Sequence, residues 1–99
     1  MRRIMVRYRV KADRVAENEQ AVRAVYAELA ETRPDGLRYA TFRLADGLTF
    51  VHVAEHGDPN PLQAIEAFRR FTASVRDRCE AAPESAELTE VGSYRFFGG

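Results

Sequence analysis

The chain has 99 residues, 45% of them hydrophobic and 30% charged, and fifteen basic residues balance fifteen acidic ones. This length suits one domain with one core, and the composition excludes a disordered or membrane-embedded chain. Zero net charge argues against nucleic acid as a partner, because phosphate neutralisation supplies most of the affinity of such binders.

A single cysteine, Cys79, leaves no intramolecular disulfide and no cysteine-based metal cluster. The opening run Met1-Arg2-Arg3-Ile4-Met5-Val6-Arg7 is interrupted by arginine before it can become an apolar segment. The expectation is a cytoplasmic protein with no signal peptide and no membrane association.

Residues 3–10 alternate, with Ile4, Val6, Tyr8 and Val10 on one face and Arg3, Met5, Arg7 and Arg9 on the other. Period two with β-branched residues reads as a strand. Asp13 then offers a helix N-cap. Val15, Val22, Val25, Tyr26 and Leu29 recur at helical spacing, and Glu19 and Arg23 form an i,i+4 pair on the polar side. Arg33-Pro34-Asp35-Gly36 ends that helix.

Two apolar-rich runs, 37–45 and 48–55, flank Asp46-Gly47, a strong hairpin signal because a type I′ turn needs positive φ twice. A two-residue loop would set Arg43 opposite Phe50, Thr41 opposite His52 and Tyr39 opposite Ala54. One hairpin face then carries Ala40, Phe42, Leu44, Val51 and Val53; the other carries Leu37, Tyr39, Thr41, Arg43, Leu48, Phe50 and His52. Asn60 and Pro61 read as N-cap and first position of a second helix, whose apolar stripe is Leu62, Ile65, Phe68, Phe71 (or Thr72), Val75 and Cys79. Ala81-Ala82-Pro83-Glu84 closes it. Residues 88–97 read as a last strand, and Gly98-Gly99 as a frayed tail.

The order β-α-β-β-α-β predicts a single α+β domain over 1–99. Its fold is ferredoxin-like, a four-stranded antiparallel sheet with two helices on one face. Helices cover one sheet face only, yet both hairpin faces carry large apolar side chains. A second copy of the chain is the expected cover for the other face. The sequence leaves open which face meets the helices, since no turn specifies how the first strand pairs.

The chain resembles the dimeric α/β-barrel proteins, in particular the antibiotic-biosynthesis-monooxygenase-like branch. The resemblance rests on Val10-Lys11-Ala12-Asp13 running from strand to helix and on Gly36-Leu37-Arg38-Tyr39 opening the second strand. It rests also on Phe50-Val51-His52-Val53-Ala54-Glu55-His56 followed by Ala64-Ile65-Glu66-Ala67-Phe68. It implies two sheets packed face to face, with a ligand pocket between sheet and helices of each subunit. The chain departs from the pattern at Ala54-Glu55-His56, where many members have Glu-x-Trp, and at Phe68, where many have histidine. It contains no tryptophan, unlike the haem-degrading members.

His52 is the leading candidate for chemistry, as general base or ligand anchor, with Tyr39 and Arg43 on the same strand face. The competing reading is a hydrogen-bonded histidine at a dimer seam. Tyr26, Phe50 and Phe68 are the candidate ligand-binding residues, against a default of core packing. Tyr8 and Tyr94 are read as core residues with hydroxyls at an edge. His56 is read as solvated, Cys79 as inert packing, and Arg7 and Arg9 as partners of Glu55, Glu90 or a second subunit's acids. His52, Glu55 and His56 make a poor metal set, and no glycine-rich phosphate loop is present, so no metal and no cofactor is expected.

Three functional readings follow. The first is a cofactor-free monooxygenase or isomerase acting on a small aromatic or quinone-like molecule. The second is a non-catalytic homodimer that binds a ligand or serves as a structural subunit. The third is an RNA-recognition module. In the run Asp46-Gly47-Leu48-Thr49-Phe50-Val51, however, an aspartate stands where that module has a basic residue and Leu48 where it has a stacking aromatic. With zero net charge, that reading is set aside.

Overall fold

A computed structural model describes residues 1–96. Strand β1 is Arg2–Arg9, helix α1 is Val15–Thr32, and strands β2 and β3 are Leu37–Arg43 and Thr49–His56. Helix α2 is Glu66–Arg78 and strand β4 is Glu84–Glu87, with short 3-10 turns at Ala12–Arg14 and Pro61–Ala64. The sheet is antiparallel in the order β2-β3-β1-β4, so β1 and β3 are central. This is the ferredoxin-like fold expected from the element order.

Alternation along β1 decides which face meets the helices. In register, Val6 lies beside His52 and His52 beside Thr41; one step along, Arg7 lies beside Val51 and Val51 beside Phe42. The face of β1 that bears Arg3, Arg7 and Arg9 cannot go under helices without stranding its charges. The other face does, and Tyr8, Val10 and Phe50 join Val22, Val25, Ile65, Phe71, Val75 and Cys79 in the core. The Tyr39/Phe50/His52 surface is therefore covered by the chain's own helices. Phe42, 51% exposed, marks the face left open.

The hairpin register is the expected one, but the turn is not type I′. Only Gly47 of the Asp46-Gly47 pair has positive φ, at 73°. Gly47 N–H donates to the Leu44 carbonyl at 2.9 Å, and Leu44 N–H to the Thr49 carbonyl at 2.8 Å. The Asp46 carboxylate accepts from Leu48 and Thr49 N–H, both at 2.8 Å, and from the Thr49 hydroxyl at 2.6 Å. These bonds hold the wider turn and pull the Asp46 carboxyl down to about 2.

Helix boundaries also shift. Asp13 falls in the 3-10 turn and makes no capping bond; α1 starts two residues later. Asn60 caps as expected, its Oδ1 accepting from Leu62 N–H at 3.0 Å, but it caps a 3-10 turn. The chain straightens at Ile65 (φ −90°, ψ 114°) before α2 begins.

The last strand is not where residue types place it. Residues 84–87, all exposed, pair with the free edge of β1 (Ile4 with Glu87, Arg7 with Glu84). Val91 is 100% exposed and Tyr94 81%, and neither lies in a strand. A strand needs an edge to pair with, and β-propensity alone supplies none. Residues 97–99 of the expected strand and tail lie outside the described residues.

Candidate functional site

His52 projects from the central strand β3 into the space beneath the helices and is 5% exposed. Tyr8 Oη lies 2.7 Å from its Nε2, and Tyr39 Oη lies 2.7 Å from its Nδ1. Thr41 Oγ1 is 3.1 Å from Nδ1 and 2.7 Å from Tyr26 Oη. Antiparallel pairing brings these groups together, since β1, β3 and β2 each contribute to one patch of the inner face.

Burial pushes the imidazole down from 6.5 to about 4, so His52 is neutral at pH 7. Burial also raises the phenols of Tyr8, Tyr39 and Tyr26, and Asn18 opposes that shift at Tyr8. A neutral imidazole offers one N–H and one lone pair, so one of the flanking phenols donates to it and the other accepts. Exchange of its tautomers would move a proton through the uncharged ring only as the receiving phenol gives up its own hydroxyl proton to an acceptor beyond it.

A second layer reaches this centre from the helices. Asn18 Nδ2 donates to Tyr8 Oη at 3.0 Å, and Arg78 Nε donates to Asn18 Oδ1 at 3.0 Å. Arg78 is 2% exposed; its Nη1 donates to Ser74 Oγ at 2.8 Å and stands 3.9 Å from Glu17. Its guanidinium also lies 5.6 Å from the Phe71 ring centre. These contacts, with its place in the last turn of α2, offset part of the cost of burying a cation whose Nη2 has no hydrogen-bond partner among the described residues. Residue type alone does not mark Asn18 or Arg78 as a candidate, yet the sequence carries a signal: each stands within its helix's apolar spacing.

His52, Tyr8 and Tyr39 line a cavity of about 360 Å³ between the sheet and α2. Phe68, Phe71, Val75 and Leu62 form much of its wall, with His56, Asn60 and Thr72 as further polar groups. The Phe71 and His52 ring centres are 5.3 Å apart, and Phe68 meets Tyr39 edge-on at 6.3 Å. A mostly apolar cavity with a few convergent polar groups is the usual form of a small-molecule site. A depression of about 240 Å³ on the open face, between Arg38, Ala40, Phe42 and Val53, lacks the imidazole.

Of the residues singled out from sequence, His52, Tyr39 and Phe68 meet at this cavity. Arg43 lies outside it, paired with Glu19 at the helix edge. Phe50 is core, stacked on Tyr8 with centres 5.7 Å apart, and Tyr26 stacks on Tyr39 and reaches the centre only through Thr41. His56, expected at the surface, is buried, with Nδ1 2.7 Å from the Gly57 carbonyl. Glu55 pairs with Arg3 at 2.6 Å and Arg38 at 3.4 Å rather than with Arg7 or Arg9. Cys79 is buried and its thiol donates to the Val75 carbonyl. Among the described residues, no group of three or more histidine, cysteine or acidic side chains comes together to hold a metal, and no helix is long and apolar enough to cross a membrane.

No protein-family model matches the chain, and no curated protein matches it. Solved structures do. An antibiotic biosynthesis monooxygenase superposes with a TM-score of 0.74 at 18% identity, covering 93% of this chain and 100% of that one. A putative antibiotic biosynthesis monooxygenase from Nitrosomonas europaea gives 0.74 at 17% identity with the same coverage. A mutant of SnoaB, a cofactor-independent oxygenase from Streptomyces nogalater, gives 0.69 at 19% identity, covering 96% of this chain and 97% of that one. The chain thus has the ferredoxin-like fold of antibiotic biosynthesis monooxygenase-like proteins, at identities that speak for the fold alone.

Proposed function

We propose that the helix-side cavity takes a small aromatic or quinone-like molecule, and that the chain acts on it as a monooxygenase- or isomerase-like protein needing no cofactor. The observation that carries this reading is the neutral imidazole held between two phenols at the wall of an otherwise apolar, aromatic-lined cavity. Both reaction types begin by moving a proton on a phenol or an enolisable ketone. A phenol–imidazole–phenol relay is suited to that step. The fold shared with a cofactor-independent oxygenase supports the reading by analogy.

Two assays test it without added cofactor: oxygen uptake over 1-naphthol, and exchange of the α-hydrogens of 1-tetralone in deuterated water. Activity in either, lost in His52→Gln and Tyr39→Phe, supports the proposal; absence of both from the native protein removes it.

One observation favours the non-catalytic reading. Both ring nitrogens of His52 are already engaged by protein hydroxyls, so a ligand meets the phenols before it meets the imidazole. Saturable binding with no turnover in either assay would select that reading.

The assembly proposed is a homodimer through the open sheet face, where Phe42, Val51, Val53 and Met5 lie side by side in register. The exposed side chains of Val91, Tyr94 and Phe96 add apolar surface that a second copy would bury. Light scattering on the native chain and on Phe42→Glu tests this. A native monomer would exclude it.

A further inference from the structure

The bonds around Tyr8 have a direction. Arginine only donates, so the atom of Asn18 facing Arg78 Nε at 3.0 Å must be the carbonyl oxygen. The Asn18 amide then faces Tyr8 and donates to Oη. With its oxygen receiving that bond, the Tyr8 hydroxyl keeps its proton for His52 Nε2 at 2.7 Å. The opposite tautomer would aim two N–H groups at one phenol oxygen and leave the Tyr8 proton without an acceptor. His52 therefore carries its proton on Nδ1, and Nδ1–H donates to Tyr39 Oη. The Tyr39 proton in turn is left to an acceptor in the cavity that Tyr39 lines.

We propose that Arg78 and Asn18 are positioning residues that fix a one-way donor chain through Tyr8 and His52, so that Tyr39 presents its hydroxyl proton to a carbonyl or enolate oxygen of the ligand. Each donor in the chain is polarised by the one before it, and the buried guanidinium stands at its head. Such a donor holds an oxygen on which negative charge develops. The direction of the chain stands on hydrogen-bond geometry, and its use on a ligand rests on the reading of the cavity given above.

Nitrogen-15 NMR of the imidazoles at pH 7, with His52 assigned apart from His56, tests the direction. The native protein should show His52 protonated at Nδ1 with a pyridine-like Nε2. In Asn18→Asp the carboxylate keeps the Arg78 bond but cannot donate, so Tyr8 turns its proton to it and the His52 tautomer inverts. Native protonation at Nε2, or an unchanged tautomer in a folded Asn18→Asp, overturns the chain. Should Asn18→Asp not fold, Arg78→Met, which frees the amide to turn, should give a mixture of tautomers; a single unchanged tautomer there overturns it equally.

The ligand half is read with 1-tetralone against tetralin, two bicycles of one shape that differ by a carbonyl. The ketone should bind about tenfold more tightly, as one added hydrogen bond allows, and Tyr39→Phe should erase the difference. Equal binding of the two to the native protein overturns the role given to Tyr39. Binding of neither overturns the cavity reading, and the tautomer result is untouched by it.

Discussion

The Glu28 carboxylate, on α1, caps α2: it accepts from the backbone N–H of Ala67 at 2.8 Å and of Glu66 at 3.0 Å. The 3-10 turn at Pro61–Ala64 and the extended Ile65 leave the first turn of α2 without a cap of its own, and a residue 39 positions away supplies one. Because α2 carries Phe68 and Phe71, this bond helps set the wall of the cavity.

Glu28→Ala should lower the melting temperature by a few degrees, with Glu28→Gln, which keeps one acceptor oxygen, falling between it and native. The backbone bonds also pull the Glu28 carboxyl below its usual range. A lowered folded-state pKa gives stability that is present above the unfolded value and lost as pH falls, so the gap between native and variant should close on acidification. Thermal melts at pH 7 and pH 3 check both points.

His52 makes the second prediction. Its folded pKa of about 4 lies below the ordinary 6.5, so between those values the unfolded chain binds a proton that the folded one refuses. Stability attributable to His52 should be intact above pH 6.5 and fall as pH drops toward 4, by up to about 3 kcal/mol at the linkage rate of ~1.4 kcal/mol per pKa unit. His52→Gln should lack that slope. Urea denaturation of both proteins from pH 7 to pH 4 measures it, and parallel curves would contradict it.

On the open face, Glu55 is buried beneath Arg3 and Arg38, with which it stands in register across β1, β3 and β2. Glu55→Gln keeps the shape and removes the charge, and should destabilise by about 2 kcal/mol, in the range for a buried charge-assisted bond. Equilibrium unfolding with Glu87→Gln as an exposed control checks this. Glu87 pairs with Arg2 in full solvent, where an ion pair contributes little.

Phe71 packs against Tyr8 and His52 and borders the cavity. Phe71→Ala should cost about 3–5 kcal/mol and enlarge the cavity, whereas Phe71→Leu should cost less because it conserves more volume. Ligand affinity should fall in both, and denaturant unfolding with tetralone binding separates the two effects.

Much of the fold was legible because local signals agreed with the global arrangement. Asp46 and Gly47 fixed the place of the hairpin, and centring the loop on them gave the observed register even though the turn proved wider than two residues, because widening it equally on both sides leaves the pairing unchanged. The arginines of β1 also carried the answer to which face meets the helices, but only once β1 is paired with β3, a long-range fact that no turn encodes. The last strand was not legible: Glu84-Ser85-Ala86-Glu87 has little strand character and exists because β1 offers an edge.

The site was legible in part. His52 and Tyr39 are three-dimensional neighbours because they share a sheet face, which a hairpin register predicts. Tyr8 reaches His52 only through the β1–β3 pairing, and Arg43 shares their strand face yet turns to Glu19 at the sheet's rim. Asn18 and Arg78 stand 60 residues apart and meet only when α1 packs on α2, so their bond could not be read from spacing.

Whether the cavity beside His52 and Tyr39 is the ligand site is tested most directly by an NMR titration with 1-tetralone. Saturable shifts should gather on Tyr8, Tyr39, His52, Phe68 and Phe71 and spare Phe42 and Val53 on the opposite face of the sheet. Shifts confined to Phe42 and Val53, or none that saturate, would contradict it.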